Sequence, residues 1–165
     1  MIIRTAKILL LSAIALFYSL VVFNNTTDFD SNYQFVRHVL MMDTTFPGNK
    51  GMWRALNAPF WHLSFYLSVI AWEAVTAILC WWGAMALLRR VRGSAAEFHA
   101  AKRIPVIALT LGLLMWMVAF LTVGAEWFLM WQSRLWNGQE EAFRMFVVIA
   151  IVLLLILQPE REEQP

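Results

Sequence analysis

The sequence predicts an all-α integral membrane protein, a four-helix bundle with an amphipathic helix in a long first extracytoplasmic loop. Three observations predict it. Hydrophobic residues make up 61% of the 165-residue chain and charged residues 15%, whereas a soluble domain sits near one half and one quarter. Four apolar stretches, at about 6–23, 60–88, 104–131 and 142–157, approach or exceed the length of a bilayer crossing. Nine tryptophans suit a chain that meets two membrane–water interfaces. The size fits one membrane domain, 1–165, with no room for a separate soluble one. A net charge of +2 gives no argument for nucleic acid. Cys80 is the only cysteine, which excludes an intramolecular disulfide, a CxxC pair and a cysteine-based metal cluster within one chain.

Taken in order, Arg4 and Lys7 precede the apolar run Ile8–Phe23. A basic start before an apolar core is also the pattern of a signal peptide. No small-x-small cleavage site follows it, so an uncleaved first span over 6–23 is expected. Thr5, Ser12, Ser19 and Thr26 recur every seven residues. On a helix they form a seam of small polar side chains along which a neighbour could pack closely. The segment 24–59 is the long polar one and is expected as an external loop. Within it, 32–42 reads as a helix, with Asp30 or Ser31 as cap and Tyr33, Val36 and Leu40 on one face. Pro47-Gly48-Asn49 breaks that helix, and Met52-Trp53-Arg54 forms a short turn. An amphipathic helix here would lie on the bilayer surface or fold over the mouth of the bundle.

The second span, 60–88, ends at Arg89-Arg90-Val91-Arg92. A short polar connection, 93–103, leads to the third, 104–131, with Pro105 in its first turn, where a missing N–H costs little. A turn containing Asn137-Gly138 leads to the fourth span, 142–157, almost pure Val, Ile and Leu, which Pro159 stops. Glu160-Arg161-Glu162-Glu163 is expected as a solvated tail. Arg4, Lys7, Arg89, Arg90, Arg92, Lys102, Arg103 and Arg161 gather on one side of this arrangement. The positive-inside rule then puts both termini in the cytoplasm and 24–59 outside.

Glu73 is the main candidate for chemistry. About thirteen residues, roughly 20 Å of helix, separate it from Phe60, which places it near mid-membrane. A charge there costs about 2.5–3.5 kcal/mol on insertion scales. The acid should therefore face protein, be hydrogen-bonded or be protonated. His62, Tyr66, Glu73, Thr76, Ala77, Cys80 and Ala84 fall on one helical stripe, the expected inward face. The functional reading of Glu73 is a proton carrier or a counter-charge for a ligand. The structural reading is a buried acid, satisfied by Thr, Tyr or backbone partners, that fixes helix register. Glu126 is the second candidate buried acid, roughly 8 Å of helix from the outer boundary. Its stripe includes Gly112, Ala119, Thr122 and Ser133. It lies on the order of 10 Å shallower than Glu73, too far for a proton-sharing pair. A pairing of Glu126 with Arg134 or Arg144 at the outer surface is the favoured structural alternative.

His62 is the one histidine near a span, with His38 in the outer segment and His99 in the cytoplasmic connection. Haem held between helices takes two facing axial ligands, often His, so no cofactor is expected. No residue spacing suits a metal site, and no phosphate loop, nucleophile elbow or metalloprotease motif occurs. No catalytic residue is assigned.

Ser31-Asn32-Tyr33-Gln34-Phe35-Val36-Arg37-His38-Val39-Leu40-Met41-Met42-Asp43-Thr44-Thr45-Phe46 follows Asn24-Asn25-Thr26-Thr27-Asp28, and Trp53-Arg54-Ala55 follows both. With Glu73, Gly124-Ala125-Glu126-Trp127-Phe128 and Trp131-Gln132-Ser133, these stretches resemble the bacterial predicted small integral membrane proteins grouped as a domain-of-unknown-function family. The resemblance covers nearly the whole chain. It implies a four-helix protein of the bacterial inner membrane and gives no catalytic residues to carry over. Because the outer segment is its most distinctive part, that segment is expected to do more than join spans. Phe35, Val39, Trp53 and His62 are placed to close a lid over a pocket reaching Glu73, with His38, Tyr66, Thr76 and Thr122 as further lining.

The lipid bilayer is the expected partner, together with a membrane-protein partner or a second copy of the chain. The reading the sequence favours is a non-catalytic accessory or scaffold subunit of a membrane complex. The alternative is binding or transport of a small solute or lipid, or proton-coupled transport, using Glu73. A quinone-linked membrane enzyme ranks last.

Overall fold

A computed structural model describes residues 1–160. The chain is helical almost throughout, in the order α1 (Ile2–Thr27), α2 (Phe29–Met41), a 3-10 turn (Met52–Arg54), α3 (Pro59–Arg89), α4 (Ala95–Ala100), α5 (Arg103–Leu114), a π-helix continuing from it (Met115–Trp127), a second 3-10 turn (Met130–Gln132) and α6 (Gln139–Leu157). Among the described residues three runs are long and apolar enough to cross a membrane: Ile2–Thr27, Pro59–Arg89 and Ala95–Trp127. Helix α6 carries Glu140, Glu141 and Arg144 near its start, which shortens its apolar stretch. The outward faces are apolar too. Leu9, Leu16 and Leu20 of α1 and Leu67, Ile78 and Trp82 of α3 are exposed. Apolar surface on this scale belongs against lipid, where each helix satisfies its own backbone. The chain is an integral membrane protein.

Inward residues follow the helical period. Ile8, Leu11, Ala15 and Tyr18 of α1 are buried, against Cys80, Ala84 and Leu87 of α3, Leu109 of α5 and Ile149 and Ile156 of α6. The seam Thr5, Ser12, Ser19 and Thr26 runs beside this face, not along it. Each of the four hydroxyls donates to the carbonyl four residues back on its own helix. Self-satisfied hydroxyls need no neighbour; Ser19 in addition accepts from the Trp81 indole of α3.

Two glycines set how closely the helices approach. A Cβ on Gly83 would lie 2.9 Å from Cδ and 3.0 Å from the backbone nitrogen of Pro105. A Cβ on Gly112 would lie 2.9 Å from the Tyr18 hydroxyl, which accepts from the Trp116 indole at 3.0 Å. Because backbone sits behind Gly83, Gly83→Ala must push α5 away. Its expected cost is about 1–3 kcal/mol, read as a lower unfolding midpoint in detergent. An unchanged midpoint would mean that α3 and α5 separate there freely.

The helices overrun the expected spans. Residues 24–27, read as the start of a loop, form the last turn of α1. The Thr26 and Thr27 hydroxyls bond to the carbonyls of Val22 and Phe23, and Asn25 is buried. Helix α2 therefore starts at Phe29, without a side-chain cap, and ends where Met42 turns left-handed at φ 54°. The polar connection after α3 contains α4, closed by a capping box. Ser94 Oγ accepts from the Glu97 backbone N–H, and the Glu97 carboxylate accepts from that of Ser94.

At the end of the molecule where α1 begins, three segments meet on one carboxylate, and Arg4 ties in a fourth. The Glu160 side chain is only 5% exposed, and its Oε1 accepts from Lys7 of α1 at 2.6 Å and Lys102 before α5 at 2.7 Å. Both lysines also donate to the Gln158 carbonyl. Arg4 lies 3.6 Å from Glu160, donates to the carbonyls of Val91 and Gly93 and covers the Phe98 ring. Glu160 is thus a clasp and not part of a solvated tail. The signal missed was the excess of cations that this end brings together. The rest of the expected tail, 161–163, lies outside the described residues.

Candidate functional site

At the opposite end, α2 lies across the mouth between α1, α3, the π-helix and α6. Phe29 meets Tyr66 edge-on at 4.8 Å, and Tyr33 packs beside both. On its other side Phe35 stacks on Phe120 at 6.5 Å and meets Trp136 edge-on. The chain after α2 is tied to the same region. Thr44 donates to Ser133, Phe46 N–H to the Gln132 side chain and Leu56 N–H to the Leu40 carbonyl.

Beneath α2 is a cavity of about 420 Å³ that reaches Glu73, within the range of small-molecule sites. Asn24, Asn25, Asn32 and Asn137 supply polar walls, and Phe35, Trp116 and Phe120 aromatic ones. Glu73 is 3% exposed. Its Oε2 accepts from Asn25 Nδ2 at 2.6 Å, and Asn25 Oδ1 accepts from Asn32 Nδ2 at 2.7 Å. The Tyr66 hydroxyl donates to the Asn25 backbone carbonyl at 3.1 Å. One relay of side chains therefore runs from α3 through α1 to α2. Among the described residues no donor meets Glu73 Oε1, which leaves that oxygen for whatever occupies the cavity.

A second cavity of about 280 Å³ lies alongside, between α2, α3 and the π-helix. It is apolar and shares Phe35, Val36, Val69 and Phe120 with the first. Phe65 and Ser68 of α3 and Val118 of the π-helix are exposed at its edge, so it opens sideways between two membrane helices.

The π-helix lines both cavities, the first through Trp116 and Phe120 and the second through Val118, Ala119, Phe120, Val123 and Gly124. The Phe128 N–H reaches the Val123 carbonyl and the Thr122 hydroxyl the Met117 carbonyl, each five residues back. Such helices are rare and concentrate at functional sites. The wider winding also rotates the faces. A 3.6-residue period carries an inward stripe from Gly112 through Ala119 and Thr122 to Glu126. Here the buried positions are Gly112, Met115, Trp116, Gly124 and Ala125, and Thr122 and Glu126 point outward. The expectation of Glu126 as a second buried acid is corrected on this ground. Of its two expected partners, Arg134 and Arg144, the second lies instead 3.5 Å from Glu141.

The other expected site residues divide. Phe35 and Tyr66 line the Glu73 cavity, and Val39 lines the apolar one. His62 is buried, but its Nε2 donates to the Leu56 carbonyl at 2.6 Å and anchors the incoming loop. Thr76 is buried and bonded to the Trp72 carbonyl. His38 stacks on Trp136 and sits 2.7 Å from Asp43, outside the cavity. Trp53 is 76% exposed and packs edge-on against Trp127, with Arg54 over both rings. It does not cover Glu73. Sequence reasoning missed Asn25 and Asn32. Leu11, Tyr18 and Asn25 are spaced by seven, so extending the buried stripe of α1 past its apolar run would have found the first.

No curated protein and no solved structure shows significant similarity to the chain. The family described as "Predicted small integral membrane protein (DUF2165)" matches residues 3–159. A helical membrane chain matched over nearly its whole length by that description belongs to this family, whose function is unknown.

Proposed function

We propose that the protein is a ligand-binding protein of the bacterial inner membrane, and that a small organic molecule enters beneath α2 to meet Glu73. In this reading α6 crosses as the fourth helix of a bundle and α2 is a lid on the extracytoplasmic side. Arg4, Lys7, Lys102 and Arg103 gather with the end of α3 at the clasp, which supports a cytoplasmic placement for that end. The observation that carries the reading is the cavity against a buried carboxylate with one oxygen unused by the described residues. An accessory or scaffold role makes no use of that cavity, and intramembrane acids commonly mark ligand or ion paths.

Labelling by a small hydrophobic carbodiimide tests it. The reagent forms a stable N-acylurea with a carboxyl group that it can reach, and peptide mass spectrometry locates the product. In reconstituted protein Glu73 is expected to react, with exposed Glu126 as internal standard. Val36→Trp, which puts an indole into both cavities, is expected to lower Glu73 labelling about tenfold, the equivalent of about 1.4 kcal/mol in access. If Glu126 reacts and Glu73 does not, the cavity is closed and the reading fails.

A further inference from the structure

We infer that the ligand is a cationic amphiphile, with its positive head against Glu73 and its apolar chain in the sideways-opening groove. This rests on the ligand-binding reading and names the class of molecule that the two cavities select together.

The head is argued from charge. Among the described residues no Lys, Arg or His lines the Glu73 cavity. Its interior ionisable group is Glu73, with Tyr66 beside it; Glu141 stands at the rim in an exposed pair with Arg144. An anionic head would face a carboxylate with no counter-charge. A cation meets the unused Glu73 oxygen, the side-chain oxygens of the asparagines and the rings of Phe35, Trp116 and Phe120, the surroundings that hold alkylammonium groups elsewhere. The chain is argued from shape and polarity. The second cavity is walled by aliphatic and aromatic side chains, adjoins the first along Phe35, Val36, Val69 and Phe120, and opens between α3 and the π-helix. In a bilayer that opening faces acyl chains. An amphiphile can enter laterally, tail in the groove and head turned inward, without crossing water.

Protection from the carbodiimide tests the class. The full chain in lipid nanodiscs is labelled with decyltrimethylammonium, decanesulfonate, decanol or tetramethylammonium present, and Glu73 labelling is read against Glu126. Decyltrimethylammonium is expected to protect Glu73 about tenfold, with weak protection by the other three. Ala119→Phe, which fills the groove, is expected to reduce that protection to the level of tetramethylammonium. Equal protection by decanesulfonate would overturn the charge assignment. Equal protection by tetramethylammonium would overturn the groove. Glu73 labelling that none of the four probes reduces would overturn the amphiphile and leave the open cavity standing, whereas no labelling without any probe would remove both.

Discussion

Glu160→Ala is expected to destabilise the protein by about 3 kcal/mol, the lower end of the cost of breaking a buried ion pair. For a chain of this length that corresponds to a fall of roughly 6–12 °C in the unfolding midpoint. The loss comes from what remains. Lys7 and Lys102 stay buried side by side, 4% and 5% exposed, and among the described residues they share only the Gln158 carbonyl as acceptor. If that is the cause, removing one cation as well should recover part of the loss, so Glu160→Ala with Lys102→Met should be more stable than Glu160→Ala alone. A midpoint within about 1 °C of the parent, well inside the scaling above, would mean that the clasp is solvated and holds nothing.

The clasp also gives a pH dependence. Burial alone would push the Glu160 carboxyl up, but hydrogen bonds and charge from Lys102 and Lys7 outweigh it and hold the group below the usual carboxylate range. A carboxyl depressed in the folded state contributes stability above its unfolded value and loses it as pH falls through the folded one. The parent is therefore expected to lose stability in acid below the ordinary glutamate range, and Glu160→Gln to show a shallower acid limb from a lower plateau. Parallel acid limbs would assign the dependence to other carboxylates.

How much of this was written in the sequence depends on which rule each element obeys. The inward stripe of α3, from His62 to Ala84, follows from a regular 3.6-residue period, and its positions are all buried, with Gly83 and Leu87 beside them. The membrane class follows from composition and run length. The π-helix does not. Met115–Trp127 contains no proline, and its Thr122 and Gly124 are residues that ordinary membrane helices also carry, so they do not mark the change of winding that turns Glu126 outward. Asn25 and Glu160 were misread for a shared reason. Polar residues just beyond an apolar run look like loop and tail, and only long-range partners, Glu73 in one case and Lys7 with Lys102 in the other, bring them inside.

The second large effect is expected at Asn25. Asn25→Ala removes the donor to Glu73 and the acceptor for Asn32 while keeping the backbone carbonyl that Tyr66 uses. Leaving a buried carboxyl without its partner costs about 1–3 kcal/mol, more if it carries charge, so a loss of about 2–3 kcal/mol is expected from the two broken bonds. Replacing both members of a buried pair by apolar groups is far cheaper than replacing one. Asn25→Leu with Glu73→Leu should therefore be clearly more stable than Asn25→Leu alone, with a coupling of about 2 kcal/mol in the double-mutant cycle. Additive effects would mean that Glu73 does not depend on Asn25 and is satisfied from within the cavity. The same pair separates the two readings of the acid. If Glu73 serves only to fix helix register, the doubly apolar variant should lose little beyond stability. If Glu73 holds a ligand, that variant should fold and yet lose the preference for a cationic probe, now read as saturable binding to the nanodisc because the labelled carboxyl is gone.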